Sequence, residues 1–151
     1  MLKGIDPLLS PELLKVLAEM GHGDEIVLAD ANFTADSLAG GKPLIRLPGV
    51  DMRRACAAVL SVLPLDEMVE RPVAYMQVGG TEPPYRSALQ RDVIGELVGR
   101  GQARSDQCEP TERFAFYERV RRAFAIVHTG ELQPWGNFLF KKGVIAEALR
   151  P

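Results

Sequence analysis

Cysteine is scarce in this chain of 151 residues: Cys56 and Cys108 stand far apart and outside any C-x-x-C spacing. Neither a disulfide framework nor a thiolate metal site is therefore indicated, and this usage fits a reducing cytosol. Histidine is equally rare, with only His22 and His128. A metal site that joins both histidines to Asp30 has no support in the spacing, so we expect no metal ion.

Long apolar runs are also missing. The longest nearly apolar stretch, residues 55–65, is interrupted by Ser61 and Pro64 and has about half of the ~20 residues that a membrane span requires. Near the N-terminus, Asp6 and Pro7 interrupt the apolar residues before they reach the length of a secretory signal. We therefore expect a cytoplasmic protein that does not interact with membranes.

The sequence has no strong excess of charge of either sign. Eighteen basic residues against twenty acidic ones leave a net charge of -2, so no global field attracts phosphate backbones, and nucleic acid is not expected as a partner. Apolar residues make up 46% and charged residues 25%, which excludes disordered and fibrous classes. The length is that of one folding unit, so residues 1–151 are predicted to form a single domain.

Common cofactor and hydrolase motifs are absent as well. No G-x-G-x-x-G, H-E-x-x-H or G-x-S-x-G occurs. The Gly40-Gly41-Lys42 segment is not a phosphate loop, because Asp36 stands where the first glycine should be and Pro43 replaces the required hydroxyl residue. An enzyme with this sequence is expected to work without a cofactor.

What the sequence does contain is a regular alternation of helix and strand patterns. Ser10 and Pro11 are typical of a helix start, and Gly21 predicts a left-handed helix end. The other helices are predicted at 51–64, from 89 to before 101, and from 111 onward. Strands are predicted at 25–30, 43–47, 72–78, 124–128 and 137–140. Residues 101–110 are predicted to be irregular. This order predicts an α/β fold with a central, mostly parallel sheet between helices.

Two polar side chains at the ends of the first predicted strand are candidates for chemistry. His22 stands between Gly21 and Gly23, which leave its imidazole unscreened, so it is either a surface group or a general acid or base. Asp30 ends an apolar strand, where a carboxylate needs hydrogen-bond donors, and ligands of open α/β sheets gather at such strand ends. The alternative is that Asp30 caps the following turn with Asn32.

A second pair of candidates lies near the C-terminus. Arg113 begins a predicted helix, the unfavourable end for a cation, so it is either held by Glu109 or Glu112 or directed at a ligand oxygen. The segment Trp135-Gly136-Asn137 combines the only Trp with a permissive glycine and an amide, a mixture that suits a sugar with apolar and hydroxyl faces. A tryptophan packed in the core is the alternative.

Two segments of the chain resemble the ribose pyranase and fucose mutarotase family. The run L-L-S-P-E-L-L-K-V-L-A-E-M-G-H-G-D-E-I-V-L-A-D-A-N-F, residues 8–33, closely resembles the start of its fucose branch. R-F-A-F-Y-E-R at 113–119, A-I-V at 125–127, T-G-E at 129–131, G-N at 136–137 and K-K-G-V at 141–144 resemble the other signature of that branch. Residues 34–110 match mainly in layout.

This resemblance implies an α/β fold that assembles into rings, which commonly stack as decamers, with each site at a subunit boundary. Members interconvert the α and β anomers of a free sugar without a cofactor, and the ribose branch also interconverts pyranose and furanose forms. The implied partner is therefore a monosaccharide similar to L-fucose. A non-catalytic sugar-binding module, and a mutarotase or pyranase for another sugar such as ribose, are the alternatives.

Individual roles follow from the positions that match. The resemblance implies that His22 is catalytic and that Asp30, Arg113 and the segment Trp135-Gly136-Asn137 bind the sugar. Trp135 stands where the family usually has Tyr, which removes a phenolic hydrogen bond and adds a larger stacking face. His128 occupies a position that is usually small or apolar.

Overall fold

The computed structural model describes residues 1–151 as helices packed on one six-stranded sheet. The helices are α1 (Pro11–Glu19), α2 (Ala35–Ala39), α3 (Met52–Leu60), α4 (Ala88–Gly99) and α5 (Arg113–Arg122). The strands are β1 (Glu25–Ala29), β2 (Leu44–Leu47), β3 (Val73–Met76), β4 (Cys108–Thr111), β5 (Ala125–Thr129) and β6 (Phe138–Lys141), and a short 3-10 turn, Ser105–Gln107, precedes β4.

The strand order of the sheet is β2-β5-β1-β6-β3-β4. Parallel pairing joins β1 to β5, β2 to β5 and β3 to β4, whereas β6 runs antiparallel to both β1 and β3. Five strands therefore share one direction, which confirms the predicted mostly parallel sheet. We call the edge where these five strands end and β6 begins the carboxyl edge, and the opposite one the amino edge.

The sheet is covered on both faces because side chains alternate along its strands. In β1, Ile26 and Leu28 join a cluster of 28 buried residues that includes α1, α3 and α4. Val27 and Ala29 point to the other face and join a cluster of 12 that includes α2 and α5. This double burial explains the continuous apolar sequence of β1 and confirms that the sheet lies between helices.

Helix starts follow the predicted capping chemistry. The Ser10 hydroxyl accepts a hydrogen bond from the N–H of Leu13 at 3.2 Å, with Pro11 at the first helical position. Asp51 accepts from the N–H of Arg54 at 2.8 Å and begins α3. The end of α1 differs from the prediction: the chain leaves the helix at Met20 in an extended conformation, and the positive φ, 85°, belongs to Gly23.

One further local expectation is wrong for an identifiable reason. The stretch 101–110, predicted to be irregular, contains most of β4, which pairs with β3 at the sheet edge despite Pro110. An edge strand tolerates proline because one side of its backbone has no neighbour. In α5 the residues buried from solvent are Phe116 and Val120, whereas Phe114 is 65% exposed.

The longest helix, α4, has 12 residues, and no helix combines the length and apolar composition that a membrane crossing needs.

Candidate functional site

Asp30 and Asn137 form a reciprocal pair at the carboxyl edge. Asp30 directly follows β1 and Asn137 directly precedes β6, and these two strands are neighbours. The N–H of Asp30 donates to Asn137 Oδ1 at 2.8 Å, and Asn137 Nδ2 donates to Asp30 Oδ2 at 2.9 Å. Both residues are buried. Asp30 Oδ1 also accepts from the N–H of Asn32 at 3.0 Å, so the turn cap that was the alternative for Asp30 is present beside the Asn137 pair.

Burial is the main influence on the Asp30 carboxylate. Burial raises the pKa of Asp30 above its ordinary value, although the N–H of Asn32 and the amide of Asn137 act in the opposite direction. Hydrogen bonds to the charged form favour ionisation. An additional donor that hydrogen-bonds to this carboxylate would therefore favour its ionised form.

Trp135 is held in an unusual backbone conformation beside this pair. Its φ is 65°, the only positive value at a non-glycine residue in the structure. Its carbonyl accepts from the buried amide of Gln90 at 3.1 Å, and the same amide donates to the carbonyl of Met76 at 2.8 Å. A Cβ on Gly136 would lie 2.8 Å from Leu89 Cδ2, which explains the glycine after Trp135. The indole is half-buried in a loop and is not enclosed in the core.

Arg113 is not held by either of the glutamates that the sequence offered. Glu112 caps α5 by accepting from the N–H groups of residues 114 and 115, and Glu109 pairs with another arginine. Instead, Arg113 Nε donates to Tyr117 Oη at 2.9 Å, and the guanidinium lies 5.5 Å from the ring centroids of both Phe114 and Tyr117. Its cationic end therefore remains available to an external oxygen.

Tyr117 connects Arg113 to the Asp30 segment. Its ring packs edge-on against Phe33, three residues after Asp30, with a centroid separation of 5.6 Å. Tyr117 was not among the candidate residues that the sequence indicated. A phenol oxygen that follows an arginine by four residues on a helix was the available signal.

His22 lies at the amino edge, in the loop before β1. Its Nε2 is 3.1 Å from Oδ1 of Asp66, a buried residue, whereas 42% of the histidine side chain is exposed. The N–H of Asp66 donates to the carbonyl of Lys141, at the end of β6, and its Oδ1 also accepts from the N–H of Met68 at 3.0 Å. Asp66 was missed by sequence reasoning, because only the folded sheet brings it to His22.

The Asp66 carboxylate determines which imidazole nitrogen of His22 is free. Burial alone would raise the pKa of Asp66, but the Met68 N–H and the His22 ring outweigh burial and hold this pKa below its ordinary value. An ionised carboxylate only accepts hydrogen bonds, so Nε2 carries the proton that it receives. In the neutral ring, Nδ1 is then the nitrogen that can take a proton from a substrate.

The structure separates His22 from the other predicted site residues. Asp30, Arg113, Trp135, Gly136 and Asn137 all belong to the carboxyl edge, whereas His22 belongs to the amino edge. At about 3.3 Å per residue, the five residues of β1 put more than roughly 13 Å between His22 and Asp30. Within one copy of the chain, His22 therefore lies at the opposite edge of the sheet from Asp30.

The fold is that of a small α/β protein with a group of polar side chains at the carboxyl edge of its sheet, and comparison with known proteins identifies the family. The chain belongs to the RbsD / FucU transport protein family, whose model matches residues 3–145. It is 45% identical to L-fucose mutarotase of Glaesserella parasuis, over 95% of this chain and 96% of that protein. It is 46% identical to human fucose mutarotase, over 96% of this chain and 95% of that protein.

Solved structures agree with this assignment. Fucose mutarotase from Streptococcus pneumoniae, in complex with L-fucose, has a TM-score of 0.84 and 38% identity, and the match covers 96% of this chain and all of that one. RbsD from Bacillus subtilis, in complex with D-ribose, has a TM-score of 0.71 at 24% identity, over 97% of this chain and 100% of that one. The second match shows the shared fold alone.

Proposed function

We propose that residues 1–151 form one aldose mutarotase domain that interconverts the α and β anomers of L-fucose or a closely similar free sugar. The observation that carries the proposal is the His22–Asp66 pair: an exposed imidazole held through one nitrogen by a buried carboxylate. It occurs in a chain that is 44 to 47% identical to curated fucose mutarotases over most of its length.

The reaction needs only proton transfer. A base removes the proton of the anomeric hydroxyl, the bond between C1 and the ring oxygen breaks, and an acid delivers a proton to that oxygen to give the open-chain aldehyde. Rotation about the C1–C2 bond and closure from the other face give the opposite anomer. His22 supplies the titratable group, since imidazole exchanges protons in both directions near neutral pH. No cofactor takes part.

The carboxyl edge supplies recognition. Asp30 and Asn137 offer a fixed carboxylate and amide for sugar hydroxyls, and Arg113 offers a cation for an oxygen atom. Trp135 offers an apolar plane, and Gly136 follows it directly in the same segment. These contacts hold the sugar before and during ring opening, so they contribute mainly to binding.

The complete site is proposed to form between two neighbouring copies of the chain in a ring, and such rings are proposed to stack as a decamer. His22 and Asp66 of one copy would face the Asp30 group of the next, because the two groups lie at opposite edges of one sheet. Head-to-tail contacts of this kind generate a closed ring when the rotation between successive copies closes. Exposed apolar side chains near the amino edge support association: Met68 at 77%, Val144 at 53% and Ile145 at 87% exposure.

The remaining expectations concern compartment and partners. Cys56 and Cys108 are both free and buried, which supports the proposed reducing, cytoplasmic location. The small net charge of -2 supports a neutral monosaccharide as the partner and does not favour nucleic acid.

Saturation-transfer NMR on the two anomeric proton signals tests the proposal. Irradiating the α signal of L-fucose should diminish the β signal in proportion to protein concentration, beyond the transfer seen in buffer alone. D-Ribose and D-galactose, measured in parallel, report preference. Binding of L-fucose without saturation transfer would instead identify a sugar-binding module, and transfer confined to D-ribose would identify a pyranase-type activity.

A further inference from the structure

The indole of Trp135 lies directly against the backbone of Gly79, in the loop between β3 and α4. A Cβ built on Gly79 would be 2.7 Å from Cζ2 and 2.8 Å from Cη2 of that indole, closer than such atoms approach in proteins. Gly79 does not have a positive φ, so its backbone conformation is open to other residues. The indole, and not the turn, therefore requires glycine at this position.

The neighbouring Gly80 shows the opposite case. Its φ is 74°, and a Cβ there would meet nothing within 4 Å, so Gly80 serves the backbone of the loop. The two consecutive glycines thus have separate physical reasons. Only Gly79 is matched to the size of an aromatic side chain from another part of the sequence.

The position of Trp135 is fixed at both ends. Its main chain is held at a φ of 65° with its carbonyl bound to the buried Gln90 amide, and the outer edge of its ring rests on Gly79. A phenol has no second ring and would not reach the same atoms. The missing Cβ of Gly79 therefore makes room for the additional ring of tryptophan at this point of the carboxyl edge.

We propose that Gly79 is a positioning residue that sets the sugar preference of the site by fixing where the Trp135 indole lies. The inference rests on the proposed mutarotase function. A fixed apolar plane favours a sugar that presents a methyl group over one that presents a hydroxymethyl group, because the extra hydroxyl loses hydration against the indole. L-Fucose and L-galactose differ only at C6, so this pair of sugars measures the preference.

Gly79→Ala tests this inference, with Gly95→Ala as the matched control. Gly95 lies exposed in α4, where an added Cβ meets nothing within 4 Å. We expect Gly79→Ala to change the emission of the sole tryptophan and to raise the KM for L-fucose by about 3- to 10-fold, with kcat within about 2-fold. The preference for L-fucose over L-galactose should shrink, and Gly95→Ala should change none of these values.

A double-mutant cycle distinguishes positioning from a general effect on the loop. In a Trp135→Tyr background, Gly79→Ala should have little further effect on KM, because the ring that the new Cβ would meet is gone. Unchanged emission and KM in Gly79→Ala, or an equal loss with and without Trp135→Tyr, would overturn the inference. If the parent protein catalyses no anomer exchange, the mutarotase proposal fails, while emission and L-fucose titration still decide whether Gly79 positions the indole.

Discussion

The His22→Asn variant is expected to fold like the parent and to lose about 100-fold or more of its rate of anomer exchange. The side chain is 42% exposed and contacts one carboxylate, so its replacement removes little packing. Asparagine still offers an N–H to Asp66 but cannot exchange a proton near neutral pH, and general acid–base catalysis typically contributes at least 100-fold. Saturation transfer measures the rate, and circular dichroism verifies the fold.

The other histidine provides the control. His128→Gln removes an imidazole that contacts Arg46 and the carbonyl of Ala31, without touching the His22–Asp66 pair. Its exchange rate is expected to stay within a few-fold of the parent. If His22→Asn exchanges anomers at the parental rate while correctly folded, His22 is not the proton-transfer group.

Mixing variants extends the His22 experiment to the shared site. His22→Asn keeps an intact carboxyl edge, and Asp30→Ala keeps an intact amino edge. In random mixed rings, about a quarter of the sites would combine the unaltered half of each variant. Co-expressed variants should therefore recover about a quarter of the parental activity, with light scattering confirming an assembly far above 16.6 kDa. Recovery no greater than that of either variant alone would contradict a site shared between copies.

Local sequence patterns were sufficient for much of the fold. The apolar run of β1, the Ser10 and Asp51 caps and the helical periodicities depend on neighbouring residues, and these elements occur where predicted within a few positions. By contrast, β4 has no distinctive pattern, since its C-E-P-T sequence becomes a strand only through pairing with β3. The short α2 was likewise not anticipated, because five residues carry too little periodicity to predict a helix.

The candidate site was predictable residue by residue but not as an arrangement. Glycines around His22 and the apolar strand before Asp30 drew attention to both side chains. The separation of His22 from Asp30 follows from the direction of β1. It is the reason why we propose a site formed by two copies of the chain. Asp66 and Tyr117 depend on tertiary contacts, with Lys141 and Phe33 respectively, that no local pattern contains.

Asp66→Asn is expected to lower the exchange rate by at least about 10-fold without changing the local geometry. Oδ1 of Asp66 accepts both the Met68 N–H and the His22 Nε2 contact, and an asparagine oxygen can keep both. The negative charge 3.1 Å from the imidazole Nε2 of His22 is lost, an effect of the same kind as removing the orienting carboxylate of a Ser-His-Asp triad. Glu67→Gln, which removes the adjacent exposed carboxylate, should leave the rate near that of the parent.

The same variant should change how stability depends on pH. The pKa of Asp66 in the folded protein is lowered from its ordinary value of 3.8. The ionised carboxylate therefore stabilises the fold at pH values above the pKa that Asp66 has in the unfolded chain. This stability is lost as the pH falls below about 4 and through the pKa of the folded state. The Tm of Asp66→Asn should therefore fall less steeply than that of the parent in this acidic window, whereas Glu67→Gln should follow the parent.

The rate and the acid-stability measurements together separate a positioning role from a structural one. If Asp66 only stabilised the loop, Asp66→Asn would make Tm less dependent on acidic pH but would leave the rate of anomer exchange at neutral pH unchanged. A carboxylate that holds His22 alters both, because the same charge acts on the loop and on the imidazole. An exchange rate within about 2-fold of the parent in a folded Asp66→Asn protein would show that His22 works without Asp66.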